Sequence, residues 1–368
     1  MKKLIAIMFC SVVGIAAEGA AEFDSRMADA QAVVTNGLKW IDGKYLPLEG
    51  RWTLGNTEDC YYARLPNNLT TNVNGGVRSM RRHTSGMQFR FRTDSKKLAV
   101  RWQNSGSAMN HMPATGVSGI DVYTFDAKTQ KWRYLVTGRP GAKKDGWFSV
   151  EAAVVPGTPV CINLPLYNGI DGFELGIDPA AKVSALEQHK SGVVKPVVFY
   201  GTSITHGGCA SRPGLAFVNI IGRDLDVPVH NLGFSGCGRM EYELSGVIAK
   251  IDASCYVLDC LWNMNPAQVE ERYEPFIRNL RKLRPDTPIV MAEGCDVFGA
   301  GPGAKDKFVK ALYDKLIVEG WKNLVYLPKT DMYTGDSEGT VDGCHPNDWG
   351  MMSMAKAFGE AVREALGL

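Results

Sequence analysis

The sequence predicts an α/β protein in which an all-β domain precedes a doubly wound parallel-sheet domain. Two observations carry this prediction. Before about residue 180, apolar and polar residues alternate in short runs such as "MQFRFRTD" and "LAVRW", which is the period of a β-strand. From Val197 onward, near-continuous apolar runs alternate with helical patterns, which is typical of a parallel sheet covered on both faces.

The first region, residues 22–180, contains further short apolar runs in "GIDVYTFD", "KWRYLV", "WFSVEAAVV" and "VCINLPLY". Asp-Gly, Pro-Gly and Asn-Gly turn signals separate several of them, and this spacing predicts a β-sandwich or jelly roll. Its aromatic residues, Trp102, Tyr123, Trp132 and Trp147, could line a sugar platform, but core packing is the favoured interpretation.

The second region, residues 196–368, follows a polar linker at residues 181–195 for which at most a short helix is expected. Five apolar strands are predicted in "VVFY", "VPVHNL", "CYVLDC", "PIVMAE" and "NLVYLP". Helical patterns separate several of them, and a last helix is expected from about Pro346. Five strands suggest a flavodoxin-like, three-layer domain, in which ligands bind beyond the carboxyl ends of the strands.

The composition excludes some classes of protein. The 368 residues carry 41 basic and 39 acidic side chains without a dense basic run, which argues against nucleic acid as the main partner. Residues 1–21 have the charged start, apolar run and small residues of an export signal, so we expect an exported protein, periplasmic or extracellular. No second apolar run approaches membrane-spanning length.

Nine cysteines are present, and Cys10 lies in the predicted signal. The other eight show neither a CxxC pair nor Cys/His spacing of the zinc type, so no metal site is predicted. Most should be free thiols, although a bridge between Cys209 and Cys237 is possible.

A serine follows the first parallel strand, in "VVFYGTSITHGG". Ser203 therefore lies where a doubly wound sheet places its ligands, and a nucleophile and an ordinary strand-ending turn are both possible. A serine hydroxyl needs a base to take its proton and a third group to orient that base. Of the six histidines, His345 in "VDGCHPNDWG" follows the last predicted strand, and Asp342 lies three residues before it.

Asp342 could fix the tautomer of His345 and leave its Nε2 for Ser203. Alternatively, both residues could simply cap the last helix. Acyl transfer also requires hydrogen-bond donors for the oxyanion. Gly236 after the second strand could offer its backbone N–H, and Asn263 after the third its side-chain amide. Asn265, which precedes a proline, is expected to open a helix instead.

These motifs resemble the four sequence blocks of the SGNH (GDSL-type) hydrolases. The matching residues are Ser203 in "GTSIT", Gly236 in "GFSG", Asn263 in "LWNM", and Asp342 with His345 in "DGCHP". The resemblance implies a serine esterase in which the Ser203 and Gly236 N–H groups and the Asn263 amide form the oxyanion hole. It implies no metal and no organic cofactor.

The first region also resembles the β-rich domain that precedes some of these hydrolases, which is recognised by a G-x-D-L-Y string. Here the string is Gly119-Ile120-Asp121-Val122-Tyr123. Two positions depart from the family pattern: Thr202 stands where many relatives have Asp, and Met264 follows Asn263 where Asp is usual. The triad acid is Asp342, so activity is expected to survive the first departure.

The predicted function is that of an exported esterase acting on acylated carbohydrate, with O-acetyl groups of plant polysaccharide as the first candidate. His206, Arg212, Trp262 and Trp349 flank the motifs and are candidates for the substrate pocket. One alternative is a lipid or small-ester hydrolase, or an acyltransferase, on the same fold. The other is a glycan-binding protein without activity, which retention of all five chemical residues disfavours.

Overall fold

The computed structural model describes residues 32–53, 60–186 and 188–368. The predicted export signal at residues 1–21 lies outside the described residues. In the first part of the described chain, the strands form two antiparallel sheets. These strands are β1 Ala32–Thr35, β2 Leu38–Asp42, β3 Leu48–Glu49, β4 Gln88–Thr93, β5 Lys97–Gln103, β6 Ile120–Asp126, β7 Lys131–Gly138, β8 Phe148–Ala153, β9 Pro159–Asn163, β10 Gly172–Ile177 and β11 Val183–Ala185.

The first sheet has the strand order β1-β2-β10-β5-β8, and the second has the order β11-β4-β9-β6-β7, with β3 paired to β4. The two sheets share one hydrophobic core, to which Trp102 and Phe173 contribute from the first sheet and Phe89 and Ile162 from the second. This part of the chain is therefore a sandwich of two antiparallel sheets. The jelly-roll path stays a prediction.

The second sheet departs from simple alternation because its polar face is also covered. The sequence predicts that Gln88 and Arg90 on β4 face away from the core, and both are nevertheless buried. Arg90 donates to Asp226 of the second region at 2.8 Å. A polar face that packs against another part of the chain is buried without being apolar, and alternation alone does not reveal the difference.

The segment between β3 and β4 also departs from the predicted all-β unit. It contains a short helix, α1 Gly75–Met80, and a second, α2 Ala114–Val117, lies between β5 and β6. Trp52, Leu65 and Val77 belong to the hydrophobic core of the second region rather than to the sandwich. The chain therefore crosses between the two halves within residues 52–84.

The predicted linker at residues 181–195 requires correction. Its residues Val183–Ala185 form β11, which pairs with β4 in the second sheet, and the described residues of the segment contain no helix. Further along, Lys190 N donates to Asp226 Oδ2 at 2.7 Å and Ser191 Oγ donates to the carbonyl of Asp226 at 2.6 Å. The polar composition suggested a linker. The segment is instead bound to both halves, because β11 pairs with the sandwich and Lys190 and Ser191 bond to the second region.

The second region contains a parallel sheet with the order β13-β12-β14-β15-β16. Its strands are β12 Val197–Gly201, β13 Val229–Gly233, β14 Cys255–Asp259, β15 Ile289–Ala292 and β16 Leu324–Leu327. Its helices are α3 Ser203–His206, α4 Phe217–Asp224, α5 Tyr242–Ile248, α6 Pro266–Leu283, α7 Ala304–Val318 and α8 Asp348–Leu366. All five predicted strands are confirmed within two residues, whereas the sequence analysis did not identify α5.

Helices cover both faces of this sheet. Val197 and Phe199 point toward the layer of α4 and α8, and Val198 and Tyr200 point toward that of α5, α6 and α7. The strand order reverses direction on either side of β12, which makes the carboxyl end of β12 a topological switch point. The flavodoxin-like detail stays a prediction. Within the described part of the chain, no helix is both long and apolar enough to cross a bilayer.

Candidate active site

Ser203 is the first residue of α3, two residues beyond the last residue of β12. The Thr202 side chain caps this helix by accepting from the N–H of Ile204 at 3.3 Å. Thr205, on the same turn, donates its hydroxyl to Asp259 Oδ2 at 2.7 Å. Ser203 is buried, with 8% of its surface exposed.

His345 lies next to this serine. Its Nε2 is 2.9 Å from Ser203 Oγ, and its Nδ1 is 2.8 Å from Asp342 Oδ2. The other oxygen of Asp342 accepts the backbone N–H groups of His345 at 2.7 Å and Cys344 at 3.0 Å. Burial raises the pKa of Asp342, but the hydrogen bonds from His345 and Cys344 outweigh burial and the pKa is lowered.

The alternative interpretation of Asp342 and His345 as helix caps is wrong. The last helix begins at Asp348 rather than near Pro346, and Asn347 caps it by accepting the N–H groups of Trp349 and Gly350. The Asp342 and His345 side chains are thus directed at each other and at Ser203. This is the hydrogen-bond order that activates a serine: nucleophile, base and orienting acid.

Gly236 and Asn263 lie on the loops that follow β13 and β14, the two strands that flank β12. Gly236 has a φ of 68°, a backbone conformation that residues other than Gly and Asn rarely adopt. The carbonyl of Phe234 accepts from the N–H of Cys237 at 2.9 Å and from Asn263 Nδ2 at 3.3 Å. The two predicted oxyanion-hole loops are therefore bound to each other.

The loop that carries Asn263 is held by residues that sequence reasoning missed. Lys305 Nζ donates to the carbonyls of Leu261 at 2.6 Å and Met264 at 2.9 Å. This ammonium supports the loop in a chain where Met264 replaces the usual aspartate. No sequence signal pointed to Lys305, which lies 42 residues away on α7. Asn265 caps α6 with a reciprocal bond to Gln268, which confirms its predicted helix-opening position.

His206, predicted as a pocket residue, is fully buried behind the nucleophile, and this prediction is wrong. Its ring stacks on Tyr167 with 4.2 Å between centroids, and its Nε2 is 3.2 Å from His83 Nδ1. The Tyr167 hydroxyl donates to the carbonyl of Ser203 at 2.9 Å. His83 and Tyr167 both belong to the sandwich half, so that half packs against the buried side of the turn that carries Ser203.

The histidines of this buried cluster are uncharged at neutral pH. Burial lowers the pKa of His83 to about 3, with a further contribution from the Arg64 guanidinium. Burial also lowers the pKa of His206 well below its usual range, and Arg64 and His83 add to the effect. Arg64 is itself fully buried and donates to the carbonyls of Asn231 at 3.1 Å and Gly233 at 2.8 Å.

Arg212, the second predicted pocket residue, joins the two halves instead. Its Nη1 donates to Asp121 Oδ2 at 2.8 Å and also contacts the Tyr123 hydroxyl. Asp121 is fully buried, and it also accepts the N–H of Gly214 at 2.8 Å and Asn163 Nδ2 at 2.8 Å. The Asp and Tyr of the G-x-D-L-Y string therefore bind the segment of Arg212 and Gly214, which follows the turn that carries Ser203.

The first half also approaches the triad directly. Thr115 donates its hydroxyl to the carbonyl of Ser211 at 2.6 Å, and Gly116 packs so closely on the carbonyl of Ala210 that a Cβ would lie 2.3 Å from that oxygen. The His111 ring lies 5.3 Å from the His345 ring, centroid to centroid. The sequence analysis did not pair this histidine with the site because 234 residues separate the two.

Trp262 and Trp349 are 40% and 51% exposed, and they lie in the segments that carry Asn263 and His345. Trp262 Nε1 donates to the carbonyl of Cys295 at 2.9 Å, which fixes that ring while leaving part of its surface open. All eight cysteines of the described residues are free thiols, so the bridge considered between Cys209 and Cys237 is not formed. In the described residues, one group, His111, Cys209 and His345, has the donor types and proximity to hold a metal ion.

Both halves of the chain match known families. Residues 194–363 match the GDSL-like lipase/acylhydrolase family, and residues 38–183 match the N-terminal domain of SGNH-type esterases. The chain is a GDSL-type (SGNH) hydrolase. This SGNH hydrolase is accordingly a carboxylic-ester hydrolase by class. Comparison with curated protein sequences gave no match.

Three solved structures illustrate the range of similar proteins. A GDSL-like lipase from Bacteroides ovatus ATCC 8483 is 27% identical, with a TM-score of 0.77 over 90% of this chain and 98% of its own. The salicylyl-acyltransferase SsfX3 of a tetracycline biosynthetic pathway is 19% identical, with a TM-score of 0.69 over 91% and 99%. A family two carbohydrate esterase from Clostridium thermocellum is 14% identical, with a TM-score of 0.54 over 77% and 93%.

Proposed function

We propose that this SGNH hydrolase is an exported serine esterase that removes O-acetyl groups from carbohydrate through an acyl-enzyme. The observation that carries the proposal is the continuous hydrogen-bonded series of Ser203 Oγ, His345 and Asp342, with contacts of 2.9 and 2.8 Å. A base within hydrogen-bond distance of the nucleophile, itself oriented by a carboxylate, is the arrangement that serine hydrolysis requires.

Acylation begins when His345 Nε2 takes the proton of Ser203 Oγ as that oxygen attacks the ester carbonyl. Asp342 accepts the Nδ1–H of His345, so it keeps the ring in the correct tautomer and stabilises the imidazolium. The negative charge that develops on the carbonyl oxygen is stabilised by the N–H groups of Ser203 and Gly236 and by the Asn263 amide. His345 then protonates the departing sugar hydroxyl.

Deacylation repeats these steps with water as the nucleophile. His345 takes a proton from the water while the water oxygen attacks the acyl carbonyl. His345 then gives this proton to Ser203 Oγ, which restores the hydroxyl. The products are the free enzyme and acetic acid, which releases its proton to solvent as acetate. Apart from substrate and water, every group in the scheme is a side chain or backbone group of this chain.

Carbohydrate is proposed as the substrate because of two exposed indole rings. Trp262 and Trp349 belong to the segments that carry an oxyanion donor and the base. Aromatic side chains commonly line ligand sites, and the C–H face of a sugar ring stacks well on an indole. The family two carbohydrate esterase, described in complex with cellohexaose, shares the fold of this chain, which is compatible with such a substrate.

Export is part of the proposal because the substrate is a polymer that does not enter cells. The charged, apolar and small-residue regions of residues 1–21 support it. Cleavage at this segment can be tested by expressing the full chain, recovering the protein from the periplasm and the medium, and determining its N-terminal residue. Recovery only from the cytoplasm with residue 1 intact would contradict export.

The activity is tested by measuring acetate release from chemically acetylated xylan and hydrolysis of an aryl acetate, for the wild type and for Ser203→Ala. Release from both substrates by the wild type alone is the expected result. Hydrolysis of the aryl acetate alone would contradict the carbohydrate substrate and favour a lipid or small ester, or acyl transfer to an alcohol. Binding of xylan without hydrolysis of either substrate would favour a glycan-binding protein.

A second pair of variants tests the role of the indole rings. We expect Trp349→Ala to raise KM for acetylated xylan several-fold while its kcat/KM for the small aryl acetate changes little, because only the polymer reaches that ring. Trp321→Ala, a tryptophan that follows α7 near the opposite edge of the sheet, is the matched control. Equal losses on both substrates would mean that Trp349 supports the structure of the site rather than binding the sugar.

A further inference from the structure

Three metal-binding side chains from distant parts of the sequence meet beside the triad. A ring nitrogen of His111, a ring nitrogen of His345 and the Sγ of Cys209 all lie within 4.8 Å of one another. His111 comes from the sandwich half, Cys209 follows the nucleophile helix α3, and His345 precedes α8. No sequence spacing could have revealed this group, because its members meet only when both halves are folded together.

Hydrogen bonds already orient both imidazole rings for coordination. His345 Nδ1 is bound to Asp342 Oδ2 at 2.8 Å, and His111 Nδ1 is bound to the side-chain oxygen of Asn110 at 2.8 Å. A ring that donates through Nδ1 keeps its free lone pair on Nε2. An oxygen acceptor behind the imidazole is the outer-shell arrangement that zinc-binding histidines usually have.

The distances fit a tetrahedral ion after a small adjustment. Zinc binds sulfur at about 2.3 Å and nitrogen at about 2.0–2.1 Å, which separates neighbouring ligand atoms by roughly 3.5 Å. Since all three atoms lie within 4.8 Å of one another, no gap has to close by more than about 1.3 Å. Cys209 is 3% exposed and its N–H donates to the carbonyl of Pro346 at 2.9 Å, whereas His111 is only half-buried, so the adjustment is expected mainly at His111.

The donor types decide which ions can bind. One thiolate and two imidazoles suit zinc and the chemically similar cobalt, whereas magnesium and calcium require oxygen ligands. Three protein ligands leave a fourth position for water or for Ser203 Oγ. The ion would lie where His345 otherwise meets the serine hydroxyl, so coordination and activation of the nucleophile compete for the same lone pair.

We propose that His111, Cys209 and His345 bind a zinc-class divalent ion that reversibly inhibits the enzyme. When the ion binds, the thiol of Cys209 loses its proton to solvent, a sulfur–metal bond forms, and Nε2 of His345 coordinates the metal instead of accepting the proton of Ser203. Binding rests on the geometry of the three side chains alone. Inhibition rests in addition on the proposed function, in which His345 is the base.

Inhibition is tested by titrating chelator-treated full-length enzyme with ZnSO₄ during hydrolysis of an aryl acetate. We expect loss of activity with rising zinc, no loss with MgSO₄ at equal concentration, and recovery when EDTA is added. Cys209→Ser should raise the half-inhibitory zinc concentration at least about tenfold, since even outer-shell changes cost 10–100-fold in metal affinity. Each variant is compared with its own metal-free rate.

Cys344→Ser is the matched control, because this free thiol is next to His345 in sequence but lies outside the group of three. It should keep the zinc sensitivity of the wild type. If Cys209→Ser and Cys344→Ser were inhibited at the same zinc concentration as the wild type, the proposed site would be wrong.

Binding is measured separately with CoCl₂ on the full-length Ser203→Ala variant, which needs no activity. Thiolate coordination gives a sulfur-to-cobalt charge-transfer absorption, which we expect here and which should disappear when Cys209→Ser is added. His111→Ala should weaken it at least about tenfold. Absence of this absorption would overturn the site, even if the esterase activity were established. Its presence in a protein without esterase activity would support the site and contradict only the proposed function.

Discussion

The two sides of the triad are held in place in different ways. Ser203 is 8% exposed, and its turn is bonded both to Asp259 of β14 and to the Tyr167 hydroxyl from the sandwich half. The side chains of His345 and Asp342 are 21% and 35% exposed, and their mutual bonds span only three residues. The position of Ser203 therefore depends on tertiary structure, whereas the pair of Asp342 and His345 is assembled locally.

The largest effect should come from breaking the local pair. Asp342→Asn keeps the shape of the side chain but presents an amide to His345 Nδ1, which favours the wrong tautomer. We expect kcat for an aryl acetate to fall on the order of 10⁴-fold, while the thermal unfolding midpoint changes little.

Asp336→Asn is the matched control for this substitution. Asp336 lies in the same loop and accepts from the N–H of Glu338 at 3.0 Å, without contact to the triad. Its kcat should equal that of the wild type. A fall of less than tenfold in Asp342→Asn would mean that the local pair does not orient the base.

The next effect should come from the contact between the halves. The side chain of Arg212 is 19% exposed, and Asp121→Asn removes the carboxylate with which it pairs. The new amide group can also point its N–H groups at the N–H of Gly214, which donates to Asp121 in the wild type. Removing one partner of a buried ion pair costs about 3–5 kcal/mol. We therefore expect that much loss in the free energy of unfolding measured with urea.

Asp126→Asn tests whether burial is the reason. Asp126 lies at the other end of the same strand, β6, and its partner Arg133 has a side chain that is 59% exposed. Solvent screens such a pair, so stability should be nearly unchanged. Equal destabilisation by the two substitutions would show that β6, rather than the contact between the halves, is the sensitive feature.

A pH-dependent effect should come from Asp259 beneath the nucleophile turn. Burial raises the pKa of Asp259 to about 7, although the hydrogen bond from Thr205 acts in the opposite direction and lowers it. In the unfolded chain this carboxyl ionises near its usual pKa of 3.8, so its contribution to stability is fully present below pH 3.8 and is lost as the pH rises to 7.

An asparagine side chain cannot ionise, so Asp259→Asn should remove the decrease in stability that the ionisation of Asp259 causes as the pH rises. Relative to the wild type, the free energy of unfolding of the variant should increase by roughly 3 kcal/mol between pH 5 and pH 8. The measurement is urea unfolding of both proteins at each pH, in which the titration of the buried histidines cancels. A difference that is independent of pH would contradict a protonated Asp259.

The smallest effect should come from the hydroxyl that supports the nucleophile from the sandwich half. Tyr167→Phe keeps the ring that stacks on His206 but loses the hydrogen bond to the Ser203 carbonyl. We expect about 1 kcal/mol less stability and a several-fold lower kcat at unchanged KM. Tyr134→Phe, on the exposed side of the sandwich, should change neither quantity.

The parts of the fold that were predictable are those in which one local pattern decides the structure. Each strand of the parallel sheet is a continuous apolar run, and α6 begins at Pro266 as its helical pattern predicts. Asp342 and His345 could be paired because three residues of a loop suffice to join them. β11 and α5 were missed because short or polar segments acquire their structure from neighbours.

The supporting residues of the site could not be predicted for the same reason. His83, Tyr167 and His111 belong to the sandwich half, and Lys305 belongs to a helix far along the chain. His206 and Arg212 were placed wrongly because nearness in sequence to Ser203 says nothing about the side on which a side chain lies. In both cases the deciding contacts join residues that are tens to hundreds of positions apart.

The polar face of the second antiparallel sheet limits how this enzyme can be divided. Asn219 of α4 donates to Asn163 of β9 at 3.0 Å, and Asn163 donates in turn to Asp121. The bond between Asn219 and Asn163 crosses the junction of the halves, as does the ion pair between Arg212 and Asp121. Exchange of the sandwich for an unrelated domain would therefore leave these groups of the second half without their partners. In recombination and in protein engineering alike, the two halves should be inherited as one unit.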